Sequence, residues 1–118
     1  MKRATITRRF IQVVASAATV ALLSSTAHAA VDAEAAAALA KKSDCLKCHA
    51  IDKDKKATSY KKIAQAWSAK PDAQAKLMDA ITKGPKVKFK DGTEEEHKII
   101  ENKDPAALKN LIAWILSQ

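Results

Sequence analysis

A chain of 118 residues with a formal charge of +8 is sized for one small domain. The first 29 residues carry Lys2, Arg3, Arg8 and Arg9 and no acid, so the remaining 89 residues carry +4. All seventeen basic residues of that remainder are lysines and thirteen acids are interspersed among them, which describes a solvated surface and not the arginine-bearing footprint of a nucleic-acid binder.

The N-terminal segment reads as an export leader. Lys2, Arg3, Arg8 and Arg9 form a basic n-region, Phe10 to Leu23 is an apolar run of fourteen residues, and Ala27-His28-Ala29 is a small-x-small cleavage site. Fourteen residues fall short of the roughly 20 that a membrane-spanning helix needs. The expectation is a cleaved signal peptide over 1–29, a domain over 30–118, and no membrane span once the leader is gone.

Ala33 to Lys42 reads as a helix, alanine-rich and capped by Asp32. Its small side chains allow another helix to pack closely, and Leu39 is its one large apolar residue. Ser43-Asp44 then lead into Cys45-Leu46-Lys47-Cys48-His49. In an exported chain, C-x-x-C-H is the attachment signature for c-type haem. Two thiols three positions apart lie on one side of a helical turn and can add to the two vinyl groups of one haem. The following histidine then offers a ring nitrogen to the iron. Competing readings are a disulfide or thioredoxin-like pair, which normally sits in a βαβ setting absent here, and a zinc site with His49 and His97, which lacks a second ligand knuckle. Thr7-Arg8-Arg9-Phe10 hints at a twin-arginine leader, but that route carries folded proteins, whereas c-type haem is joined to the apoprotein after export. Sec export to the bacterial periplasm is therefore expected.

After His49, the charged run Asp52 to Lys56 reads as a surface loop. Thr58 or Ser59 caps a second helix in which Tyr60, Ile63, Ala64 and Trp67 form one buried stripe. Lys70-Pro71-Asp72 starts a third helix with Ala73, Leu77, Ala80 and Ile81 on its apolar face and Met78 beside it, and Gly84-Pro85 stops it. In the connection from Pro85 to Lys103, Val87 and Phe89 alternate with lysines as a short extended piece, and Asp91-Gly92 is a turn. Thr93-Glu94-Glu95-Glu96 fits a capping box, so a short helical turn is expected to carry His97, with Ile99 and Ile100 pointing inward. Asp104-Pro105 opens a last helix whose stripe is Leu108, Leu111, Ile112 and Ile115. Tyr60, Trp67, Phe89 and Trp114 are the only aromatics beyond the leader, and a covalent haem would supply the apolar mass they leave wanting.

On these residues the chain resembles a small bacterial monohaem cytochrome c of class I. The likeness runs through Cys45 to Asp52, Tyr60 to Trp67, Leu77 to Gly84 and the ending Leu111 to Gln118. It implies an all-α fold of four to five helices around one covalent haem, with Cys45 and Cys48 as thioether anchors and His49 as proximal ligand to the iron. It implies a single-electron carrier with no catalytic residues, not an enzyme, which meets redox partner proteins; the lysines, for their part, suit a partner with an acidic docking surface. A ligand-binding sensor, a peroxidase-like haem protein and a haem subunit of a larger redox enzyme are the alternatives. Two departures stand out. Thr58-Ser59 replaces the Gly-Pro pair that usually precedes the second helix, and no methionine lies between Gly84 and Asp104, where relatives present their axial methionine. His97, in that loop, is the expected sixth ligand, with Met78 the alternative and lysine a further one. Two imidazole ligands imply a lower potential than methionine ligation gives.

Overall fold

A computed structural model describes residues 30–118. The expected leader, 1–29, lies outside the described residues.

Five helices and one small hairpin make up the domain: α1 (Ala33–Lys42), α2 (Cys45–Cys48), α3 (Tyr60–Trp67), α4 (Ala73–Lys83), β1 (Lys86–Lys88), β2 (Glu94–Glu96) and α5 (Pro105–Leu116). The helix ends follow from local chemistry. Asp32 accepts from the Ala35 N–H, Ser59 from the Lys62 N–H and Asp104 from the Ala106 N–H, each satisfying a donor that the first turn leaves free. Pro105 adds its preset φ at the start of α5. Gly84 ends α4 in the left-handed region at φ 62°, where a side chain would be strained.

The core forms around α5. Leu108, Leu111, Ile112, Trp114 and Ile115 are all buried, and α1, α3 and α4 each pack against this helix. Ala36 and Ala40 give α1 a flat face with nothing to hold it away from α5, as the alanine-rich sequence suggested. Asn110 ties the two termini of the domain together, donating to the Asp32 carbonyl and accepting from the Asp32 N–H. The helical architecture expected from the sequence is the one observed.

Two local expectations are corrected. Thr93-Glu94-Glu95-Glu96 does not form a helical turn: Glu94–Glu96 is a strand, antiparallel to Lys86–Lys88, with Lys86 opposite Glu96 and Lys88 opposite Glu94. The physical reason is the turn between them. The Gly92 N–H donates to the Phe89 carbonyl, Gly92 sits at φ 87°, and the Phe89 N–H donates to the Thr93 carbonyl, which closes a three-residue hairpin loop. Asp91 takes the Thr93 N–H and hydroxyl, so Thr93 does not cap a helix. Cross-strand lysine–glutamate pairs then favour the ladder over a helix with three adjacent like charges. The second correction concerns Ile99, which is 44% exposed while its neighbour Ile100 is buried. The Ile100 N–H bonds to the Ile81 carbonyl, which sets Ile100 against the core and leaves its neighbour outside.

Candidate functional site

Asp44 sets the approach to the site. It is the one described non-glycine residue with positive φ, at 60°, and it turns the chain sharply between α1 and the single helical turn of α2. That turn places Cys45 and Cys48 as free thiols on the wall of a cavity of about 700 Å³. His49 ends the turn in extended conformation and joins the same wall. The chain then loops back over the turn. The Ala57 N–H bonds to the Cys48 carbonyl, the Tyr60 N–H to the Ala50 carbonyl, and Lys55 reaches the Leu46 carbonyl at 2.7 Å.

His49 is held from two sides. Its Nδ1 lies 2.6 Å from the Thr58 carbonyl oxygen, so that nitrogen carries the proton and donates, leaving Nε2 as the free nitrogen. Its ring stacks on Tyr60 with centroids 5.2 Å apart, and Tyr60 meets Trp114 edge-on. Burial holds His49 below its ordinary pKa, against the Thr58 hydrogen bond, which raises it. The imidazole is therefore neutral at pH 7, the form a metal requires. Burial pushes the Cys45 thiol up, and burial together with Cys45 pushes Tyr60 up, so both stay protonated at neutral pH.

His97 lines the same cavity. Its ring centroid is 6.3 Å from that of His49, with the planes inclined by 43°. Its Nδ1 lies 3.0 Å from the Lys98 carbonyl oxygen, so in this ring too Nε2 is the free nitrogen. The main chain fixes its height, because the His97 N–H bonds to the Pro85 carbonyl just beyond α4. Cys45, Cys48, His49 and His97 are thus brought together, while Met78 is not: it packs against the core from α4 and contributes nothing to the cavity wall.

The rest of the wall is apolar. Ile63, Trp67, Leu77, Val87, Phe89 and Ile112 line it, and lysines such as Lys56, Lys76, Lys88, Lys90 and Lys98 stand at its polar margins. Trp67 and Phe89, read from the sequence as core or extended-piece residues, are only half-buried because they face this space. Two thiols, a neutral imidazole and an apolar lining suit a flat, covalently held macrocycle with a central metal. They do not suit zinc, since among the described residues no three His, Cys, Asp or Glu side chains gather around a common point. Haem c fits: Cys45 and Cys48 would carry the thioethers and His49 the iron.

The sequence reading passed over Asp54, which lies in the charged run taken for a plain surface loop. Asp54 accepts from the Ser59 N–H at 2.9 Å, from Lys62 at 2.7 Å and from Lys90, and so joins the loop, the start of α3 and the hairpin. These three donors, Lys62 first, hold its carboxyl well below the usual range. The available signal was an acid flanked by Lys53 and Lys55, five residues before a capping serine.

The chain is similar to known proteins over the whole described domain. The cytochrome c family profile matches residues 33–118. The crystal structure of the class 1 cytochrome MtoD from Sideroxydans lithotrophicus ES-1 is 54% identical, with a TM-score of 0.72 over 75% of this chain and 97% of that one. Wild-type Nitrosomonas europaea cytochrome c552 is 30% identical, with a TM-score of 0.54 over 69% of this chain and 96% of that one. No curated protein matches the chain. A profile match that begins at the first residue of α1, ends at the last residue of the chain and encloses the two thiols and His49 leaves one conclusion: the chain belongs to the cytochrome c family and carries covalent haem c.

Proposed function

We propose that the protein is a periplasmic single-electron carrier whose iron is ligated by His49 and His97 and held at a comparatively low potential. The observation that carries the ligand assignment is the 6.3 Å between the two imidazole centroids. Metal–imidazole bonds of about 2 Å, with a ring centre roughly 1 Å behind each nitrogen, put two rings on opposite sides of one metal about 6 Å apart. Both Nδ1 atoms are engaged by main-chain carbonyls, which supports Nε2 ligation by both rings.

Haem supplies the one-electron couple when bound. The residues of the chain hold and tune it. Thr58 makes His49 more basic by accepting a hydrogen bond from its Nδ1–H, the stack on Tyr60 fixes the ring plane, and the apolar wall would shield a bound macrocycle from water. Lysines at the cavity margin support docking by a partner with an acidic surface. The export leader read in residues 1–29 supports the periplasmic location, and no helix among the described residues is long and apolar enough to cross a membrane.

The test is spectroscopic. Ferric wild-type protein is expected to be low-spin without a sulfur-to-iron charge-transfer band in the near infrared, and His97→Ala is expected to lose the low-spin spectrum. A near-infrared sulfur band, or an unchanged spectrum in His97→Ala, rejects the assignment. Rapid stoichiometric carbon monoxide binding by the ferrous protein at neutral pH would mark a ligand-binding protein in place of a carrier.

A further inference from the structure

We propose that three lysine–carboxylate pairs latch the hairpin side of the cavity to the haem-attachment side, and that this latch sets how readily His97 leaves the sixth position. The proposal rests on the reading of His97 as a ligand.

The hairpin is short of other support. Each strand has three residues, and no helix packs along them. Val87 and Phe89 face the cavity and not the helical core. The main-chain anchor to the helices lies at one end only, where the Ile100 N–H meets the Ile81 carbonyl; the His97 N–H bond to the Pro85 carbonyl continues the hairpin's own ladder. The far end and the edge toward the cysteines are joined to the rest of the molecule through charge. Lys98 reaches Asp44 at 2.6 Å, Glu95 reaches Lys56 at 2.5 Å, and Lys90 reaches Asp54. Each pair has one member between residues 44 and 56 and the other between residues 90 and 98. Lys56 also lies over the Phe89 ring, 4.7 Å from its centroid.

Position gives the first pair its leverage. Lys98 follows His97 directly, and Asp44 precedes Cys45 directly. The contact therefore bridges the neighbour of one iron ligand and the neighbour of one haem anchor. Asp44 sits at a sharp backbone turn and pairs with Lys47 at 3.1 Å as well as with Lys98, so one carboxylate serves two lysines. Lys56, Lys90 and Lys98 are more than a third exposed. Exposed pairs are individually weak and are screened by salt, so a latch built from three of them yields by degrees as ionic strength rises.

The test uses ferric holoprotein and added imidazole, whose entry requires His97 to leave, followed by the change in the haem spectrum. At low ionic strength, Lys98→Met, Lys90→Met and Lys56→Met should each bind imidazole roughly two- to fivefold faster than wild type, and the triple variant roughly tenfold faster. Lys98→Arg should restore the wild-type rate. Salt at about 1 M should speed wild type toward the triple variant and leave the triple variant nearly unchanged. Amide exchange at His97 should quicken in the same order. Lys83→Met removes an exposed pair of the same kind within α4, Lys83 to Asp79 at 2.8 Å, and should leave the rate alone. Rates unmoved by the three lysine variants and by salt, alongside fast imidazole binding in His97→Ala, overturn the latch and leave the ligand assignment standing. Rates raised equally by Lys83→Met also overturn it, because the effect is then general destabilisation. If His97→Ala itself binds imidazole no faster than wild type, the ligand assignment fails and the latch fails with it.

Discussion

Haem removal should cost this domain its fold. The cavity is about 700 Å³ and its wall is mostly apolar, with Leu77, Ile81, Leu111 and Ile115 from the central helices among the residues that line it. At about 24 cal/mol for each Å³ of void, an empty space of 700 Å³ would cost roughly 17 kcal/mol. The cavity is open to solvent, so that figure is an upper bound and water relieves much of the cost. Small domains are stable by only about 5–15 kcal/mol, so even a minor part of that figure is comparable with the whole. The described part of the chain has 89 residues and lies near the low end of that range. Mature apoprotein made without haem attachment is therefore expected to show little helical signal by far-ultraviolet circular dichroism and no cooperative thermal transition. The holoprotein should melt in one sharp step. Apoprotein with native helix content and a sigmoidal melt would refute the reasoning, because the helices would then be packing well without the group they surround.

Cys45→Ser or Cys48→Ser should weaken covalent retention of haem and the double variant should abolish it, read by haem staining after denaturing electrophoresis. Gly84→Ala should destabilise the holoprotein by about 1–2 kcal/mol, because the new Cβ must accept a left-handed φ of 62° and would lie 3.0 Å from the His97 carbonyl oxygen; thermal melts read the loss, and a shifted ferric spectrum would report the push on His97. Asp54 adds a pH dependence. Its carboxyl is held below the usual range in the folded state, so its contribution is fully present above the unfolded value of about 4 and drains away as pH falls below it. Wild type should accordingly exceed Asp54→Asn in denaturant midpoint at pH 7, with the gap closing under acid conditions; a gap that widens there would refute the assignment.

The helices were legible because their signals are local. Asp32, Ser59 and Asp104 each cap the helix that immediately follows, Gly84 stops α4, and the stripe from Leu108 to Ile115 records the face of α5 in its own spacing. The C-x-x-C-H turn was legible for the same reason. The hairpin was not, although Asp91-Gly92 marked its turn. Three consecutive glutamates resemble a helix start when read alone, and what makes them a strand is Lys86 and Lys88 on the other side of that turn. From the sequence His97 was an expectation reached by elimination; that its ring comes within 6.3 Å of the His49 ring depends on a bond to Pro85, twelve positions upstream, which no pattern around His97 reveals. Asp54 was missed because its partners, Ser59, Lys62 and Lys90, are gathered only by the fold.

The bond from His49 to Thr58 has a consequence for how the haem electronics can drift. The acceptor is a main-chain oxygen, so no substitution at position 58 can delete it. What the residue type there controls is only how firmly that oxygen is aimed. A Gly-Pro pair aims it with a closed ring in the backbone. Here the next residue, buried Ser59, is pinned instead by its N–H to Asp54, a carboxylate that also answers to Lys62 and Lys90. The His49 imidazole is therefore aimed by an electrical tether where a covalent one could have stood, and its aim becomes sensitive to the ionic composition of the surrounding medium.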